Sequence, residues 1–302
     1  MKNVIYQNYG FVVVGMIKIN DNVYKIKTRD QNYVLKITTN QNINTIYEYV
    51  DTLHLRCFIT IIPNREQQFL TPYQSQYFYL MPYVDVSLGL LKEMKIKFYF
   101  ETLAYIHEKS FYYTKVNQSY FQTLHDDILK IIHERTYYYD QMIRSFENIA
   151  IRSPSQWMLV LNYYRIYEAL CQSRQYLSQY MELTSSYQQI RVCLNYKNFD
   201  YDHISLKSQL LLSIDSMCID LPIYDLFDLY QKIPDILFDL DCFSEYYFQK
   251  IALKDDEKLL LCCLMNIAPI ITFQQNEIEN IIKLSRLLYY LDSIQQFMKS
   301  CH

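Results

Sequence analysis

Polar and acidic residues suited to proton transfer and metal binding gather between positions 192 and 230. A short polar turn carries Asn198, Asp200 and Asp202, and His203 stands five residues beyond Asn198. An apolar run follows and ends at Asp215, and Pro222 and Asp225 then open an amphipathic segment. A base in a turn, a metal ligand five residues on and a carboxylate at the end of an apolar run are the parts that phosphoryl transfer over bound metal ions requires. Here several of those parts have the wrong chemical type. A carboxylate takes the proton of an attacking hydroxyl and a neutral amide such as that of Asn198 cannot, so an amide in the place of the base weakens transfer severely. Transfer depends chiefly on positioning and charge neutralisation, so some turnover survives such a change in principle. His203 offers nitrogen where Mg²⁺ favours hard oxygen. Asp215 keeps the chemistry of a metal carboxylate, and Asp200 or Asp202 would replace the base only in a shifted turn.

The elements that must position these residues come earlier in the chain. Residues 11–15 form a short β-branched run. Residues 23–28 alternate, four polar residues follow, and residues 33–37 alternate again, which predicts a hairpin with Lys36 on its second strand. A lone lysine on a strand is ordinarily a solvated edge residue. Residues 44–55 have helical spacing through Ile46, Tyr49, Val50 and Leu53, with Glu48 as candidate ion-pair partner of Lys36. A strand is expected over 58–63, a polar turn at Pro72, and an edge strand with a hinge over 77–85. After Gly89 the pattern becomes helical: one helix to Ser110 with a buried His107, then long helices over 118–149 and 155–182, the second announced by Ser153 before Pro154. His125 and His133 lie two turns apart on the first of these, and with no third ligand suggested they read as a polar face. The chain is helical again beyond Asp225, and Asp255 or Asp256 is the expected cap of a helix starting there.

Several stretches resemble one known family. Tyr196 to His203 has the spacing of the turn H-x-D-x-x-x-x-N of the aminoglycoside phosphotransferase and choline kinase branch of the kinase-like fold. A register shifted by two, with Leu194, Tyr196 and Tyr201 on the motif, fits worse at all three places. Tyr33-Val34-Leu35-Lys36 resembles the family's Y-V-L-K strand, and Leu103-Ala104-Tyr105-Ile106-His107 its L-A-x-x-H signature. Residues 253–261 with Asn266-Ile267-Ala268-Pro269 resemble a terminal signature of the bacterial spore-coat kinase-like proteins. The resemblance covers nearly the whole chain. It implies an α+β, protein-kinase-like two-lobed fold, with a small β-sheet lobe over 1–85 and a larger helical lobe over 86–302 holding an altered catalytic loop. By the same resemblance Lys36 holds nucleotide phosphates with Glu48 as its partner, and the hinge around Leu80 and Pro82 pairs with adenine. Asn198 stands at the base position, Asp215 and His203 at the metal positions, and Asp225 is the structural aspartate that orients the catalytic loop. ATP and Mg²⁺ are the implied cofactors. Gly10 and Gly15 do not form a G-x-G-x-x-G phosphate cradle.

Composition narrows the partners. At 302 residues, half of them apolar, the chain exceeds one typical domain and can bury a large core. Its 29 basic and 32 acidic residues leave no field to draw nucleic acid or anionic lipid. Eight cysteines without a C-x-x-C pair suit a reduced cytosol. The brief apolar runs after Met1 predict no signal peptide and cytoplasmic synthesis. The apolar run over 259–271 is shorter than the roughly 18 residues of a membrane span and contains Asn266 and Pro269. The abundance of Tyr, Asn, Ile and Lys reads as A/T-rich coding, with tyrosine cross-linking in an aromatic assembly as the sharper alternative. The altered residues lean away from an enzyme, and the resemblance implies a pseudokinase-like protein with a structural or assembly role in the bacterial endospore coat and other coat proteins as partners. The alternative is an active ATP-dependent kinase for a small-molecule hydroxyl. Nothing in the sequence sets the oligomeric state.

Overall fold

The computed structural model describes residues 1–86, 92–232 and 241–300, so Gly89 lies outside the described residues. In chain order the elements are α1 (Lys2–Tyr9), β1 (Gly15–Asn20), β2 (Val23–Lys27), β3 (Asn32–Thr38), α2 (Ile43–Thr52), β4 (Thr71–Tyr73), β5 (Gln76–Pro82) and α3 (Lys92–Ser110). There follow β6 (Tyr112–Lys115), α4 (Gln118–Glu147), α5 (Pro154–Thr184), β7 (Gln189–Asn195), a single 3₁₀ turn (Tyr201–His203), β8 (Ile204–Ser205), β9 (Leu210–Leu211) and β10 (Cys218–Asp220). The chain continues through α6 (Ile223–Tyr230), α7 (Asp241–Phe248), α8 (Asp255–Met265) and α9 (Glu277–Ser300). Two compact units result: Met1–Ser110 with Leu194–Ile219, and Phe111–Cys193 with Asp220–His302.

The first unit is built on an antiparallel sheet in the order β1-β2-β3-β5-β4. Because side chains alternate across a strand, the register that sets Lys36 opposite Tyr79 and Leu35 opposite Leu80 sorts them onto different faces. Tyr33, Leu35, Phe78 and Leu80 go to one face, where they pack with Ile5 and Tyr9 of α1. Lys36 and Tyr79 go to the other. The left-handed backbone of Gly10 (φ 78°) ends α1, its N–H reaching the Tyr6 carbonyl, and a Cβ there would come within 3.1 Å of an Arg65 nitrogen.

Two strand expectations need correction. Of the run over 11–15 only Gly15 joins a strand, as the first residue of β1: Phe11 and Val13 pack against the core around α1, and β2 ends opposite Gly15, so no strand extends alongside the earlier residues. Nor is β5 an edge strand. β4 takes the edge, where Pro72, lacking an N–H, leaves no central ladder bond unmade. The expected strand over 58–63 is reduced to isolated bridges, Phe58 to Leu211 and Ile62 to Leu80.

In the second unit β6 pairs antiparallel with β7, Tyr112 opposite Val192. Helix α4 is capped by the Asn117 side chain, and α5 by a Ser153–Gln156 capping box with proline in its first turn, as the sequence signal predicted. These long helices pack against each other, and α5 packs against α8 and α9. At α8 the expected Asp255 or Asp256 cap is replaced: Lys254 is the cap residue, and Glu257 reaches back to its N–H at 2.9 Å. Asp255 and Asp256 occupy the first turn, where negative charge favours the helix dipole. Among the described residues no helix is long and apolar enough to cross a membrane.

Candidate functional site

The site in the first unit begins with Lys36. β3 carries it on the face opposite the α1 core, and there its ammonium forms an ion pair with Asp215 and donates to Ser213 Oγ at 2.6 Å. Ser213 also accepts from Asn198 Nδ2 at 2.7 Å and donates to Asp215 Oδ2 at 3.1 Å. The hydroxyl of Tyr79, across the strand pair from Lys36, reaches both Asp215 oxygens at 3.1 and 3.2 Å. Burial, then the Asp215 carboxylate, hold that phenol well above its ordinary value, so it stays protonated and donates. Asn40 Nδ2 fixes the Asp215 backbone carbonyl at 2.8 Å.

The segment bearing Ser213 and Asp215 is itself held on both sides. Leu211 exchanges backbone bonds with Cys57 and Ile59, and the Leu212 N–H bonds to the His203 carbonyl at 2.8 Å. Tyr196 is fully buried, stacks with Phe58 and meets Tyr99 edge-on, and its hydroxyl accepts from the Ser213 N–H at 3.4 Å. Lys95 of α3 is buried and donates to the Tyr201 carbonyl at 2.7 Å, anchoring the turn that follows Asn198.

Within that turn Asp200 accepts from the Asp202 N–H at 2.9 Å, and both carboxylates feel the Lys95 charge. Both residues are exposed. His203 Nδ1 lies 3.2 Å from the Asn198 carbonyl. Its imidazole is held below its ordinary 6.5, chiefly by burial and also by Lys36, against the Asn198 carbonyl and the Asp200 and Asp215 carboxylates.

Lys36, Asn198, His203, Ser213 and Asp215 line one cleft of about 330 Å³, together with Asn22, Thr38, Thr39, Gln76 and Ser216. Four residues singled out from the sequence are thus brought together. Glu48 is not: Lys36 takes Asp215 as its partner, and Glu48 is exposed. The reason is helical phase, because Ile43, Tyr47 and Val50 form the buried face of α2 and Glu48 falls beside it. Leu80 and Pro82 do not line this cleft either; the Leu80 carbonyl accepts from Ile62 N–H at 2.8 Å and its side chain lies in the α1 core. Asp225 belongs to the second unit, fully buried in the first turn of α6. Sequence reasoning missed Tyr79, Ser213 and Asn40. The Tyr79 signal was available as the alternation of β5 with β3, whereas a serine two residues before Asp215 carries none.

The arrangement suits one of the two implied cofactors better than the other. Lys36 retains about a fifth of its side-chain exposure, and threonine and serine hydroxyls beside it can donate to phosphate oxygens. A divalent ion of the Mg²⁺ type needs hard oxygen ligands. Among the described residues Asp215 is the one carboxylate lining the cleft, three donors already reach its oxygens, and His203 beside it offers an imidazole. These residues fit a phosphate-bearing ligand and do not fit Mg²⁺.

No protein-family model matches the sequence, and no curated protein matches it. Solved structures do resemble the chain. An aminoglycoside phosphotransferase from Alicyclobacillus acidocaldarius has 11% identity and a TM-score of 0.70, covering 100% of this chain and 95% of its own. Spectinomycin phosphotransferase in complex with ADP and spectinomycin has 13% identity and a TM-score of 0.52, covering 98% and 92%. A microcompartment-associated aminopropanol kinase has 10% identity and a TM-score of 0.51, covering 95% and 92%. At these identities the likeness is one of fold, and the fold is the α+β kinase-like fold of such phosphotransferases.

Proposed function

We propose that this chain is a pseudokinase-like protein: a kinase-fold protein that has lost efficient phosphoryl transfer and binds nucleotide phosphate in the cleft around Lys36. The observation that supports this best is the engagement of Asn198. At the base position its amide donates to Ser213 Oγ within the Lys36–Asp215 network. An amide so engaged cannot take a proton from an acceptor hydroxyl. The neighbouring carboxylates offer no ready substitute, since Asp200 holds its own turn and Asp202 is exposed. Purified protein given ATP, Mg²⁺ and alcohol, amine or sugar acceptors should release no ADP above the acceptor-free background. Acceptor-dependent release that disappears in Asp215→Ala would replace this reading with an active small-molecule phosphotransferase.

The resemblance to spore-coat kinase-like proteins adds a setting to the proposal: a structural or assembly role in the endospore coat, with other coat proteins as partners. Recovery of the tagged chain in the coat fraction of spores from its host tests that setting. Its absence from that fraction would remove the coat assignment and leave the reading of the cleft intact.

A further inference from the structure

We infer that the cleft takes its nucleoside phosphate without a divalent cation, and that Tyr79 is the residue responsible. The inference rests on the nucleotide reading above and concerns how the same site balances charge.

A carboxylate has about four lone-pair positions. Lys36, Ser213 and one branch of the bifurcated Tyr79 hydroxyl crowd Oδ2 of Asp215, and the other Tyr79 branch is the donor to Oδ1. Of these donors Tyr79 is the least free to leave. It is fully buried, and the β3–β5 ladder fixes it opposite Lys36. Turning its hydroxyl away would strand a buried polar group. Asn40 holds the backbone carbonyl of the same aspartate, which keeps the segment bearing Asp215 against the strand that carries Lys36. A magnesium ion brought to its usual distance of about 2.0–2.1 Å from Oδ1 would compete there with the buried Tyr79 hydroxyl, and among the described residues the lining offers it no second carboxylate. His203 does not compensate, because an imidazole suits softer metals than magnesium. Among the described residues no group of three His, Cys, Asp or Glu is gathered for a metal.

Charge then limits the ligand. Among the described residues Lys36 is the one lysine or arginine lining the cleft, whose other polar lining is largely amide and hydroxyl. With no ion to screen a third phosphate, a nucleoside diphosphate is held as well as a triphosphate.

Calorimetric titration of the full chain with ADP and ATP, in EDTA and in Mg²⁺, tests this. The dissociation constant for ADP should agree within about twofold in the two buffers, and ATP should bind no tighter than ADP. Tyr79→Phe frees a lone pair on Asp215 and should bind several-fold tighter in Mg²⁺ than in EDTA. As a second readout, Mn²⁺ added to wild-type protein with ADP should show no immobilised spin-resonance signal beyond that of Mn²⁺ with ADP alone. Wild-type binding tightened tenfold or more by Mg²⁺, or a protein-immobilised Mn²⁺ signal, overturns the inference and leaves the nucleotide reading standing. Binding in neither buffer overturns both. Cation-independent binding that persists unchanged in Tyr79→Phe overturns the role given to Tyr79.

Discussion

Two ion pairs, one in each unit, show how similar partners can serve different ends. In the second unit Arg191 makes a fork to Glu257, donating from Nε at 2.8 Å and from Nη2 to the other oxygen. The same guanidinium reaches the Ala252 carbonyl at 2.9 Å and lies 4.3 Å over the Phe111 ring, while Glu257 also accepts from the Lys254 N–H. Only 2% of the Glu257 side chain is exposed. In the first unit Asp215 and Lys36 remain 20% and 18% exposed, and both line the cleft. A planar fork with its groups committed to neighbouring backbone and ring is a fastening. A compact ammonium facing a hydroxyl-lined cleft remains available to a ligand. The difference lies in where the unused capacity of each charge points.

The comparison is broken or sharpened by four substitutions. The largest effect belongs to Glu257→Ala, which leaves the mostly buried Arg191 without its carboxylate and should cost about 3–5 kcal/mol in chemical denaturation. Lys36→Ala should cost only about 1 kcal/mol by the same measurement, because Asp215 keeps Tyr79 and Ser213 and is partly hydrated. Equal costs for the two would erase the distinction between fastening and ligand-facing pair.

A smaller effect is expected from pH. Burial keeps the His203 imidazole below 6.5, so the unfolded chain binds that proton more tightly and stability falls as pH drops below about 6.5. His203→Gln should lose less in Tm between pH 7.5 and 5.5 than the wild type; an identical loss would show that His203 contributes nothing to the pH dependence. Smallest of all, Glu48→Ala should change stability by less than about 0.5 kcal/mol and leave nucleotide affinity unaltered, as expected of an exposed residue outside the Lys36 pair. A loss of affinity there would reinstate Glu48 as a partner of Lys36.

Much of this was legible before the structure because local rules govern it. Alternation put Lys36 on the second strand of a hairpin, and Ser153 before Pro154 marked the start of α5. The spacing from Asn198 through His203 to Asp215 marked residues that the fold does bring into one cleft. What stayed hidden depends on non-local placement. Helix α1 buries only Ile5 and Tyr9, too few apolar residues to show a period, and its partners lie on β3 and β5. Strand order made β5 internal, and only that register set Tyr79 beside Lys36. Glu48 had a suitable type, but the phase of α2 is set by which residues the core accepts.

On the proposed reading, the engaged amide of Asn198 leaves the cleft able to bind and unable to transfer. The most direct test of that reading follows the terminal phosphate of labelled ATP under single-turnover conditions, with protein in excess and a mixture of hydroxyl acceptors. The account predicts that the label stays on ATP at the rate seen without protein. Label appearing on an acceptor, at a rate abolished by Asp215→Ala, would contradict it.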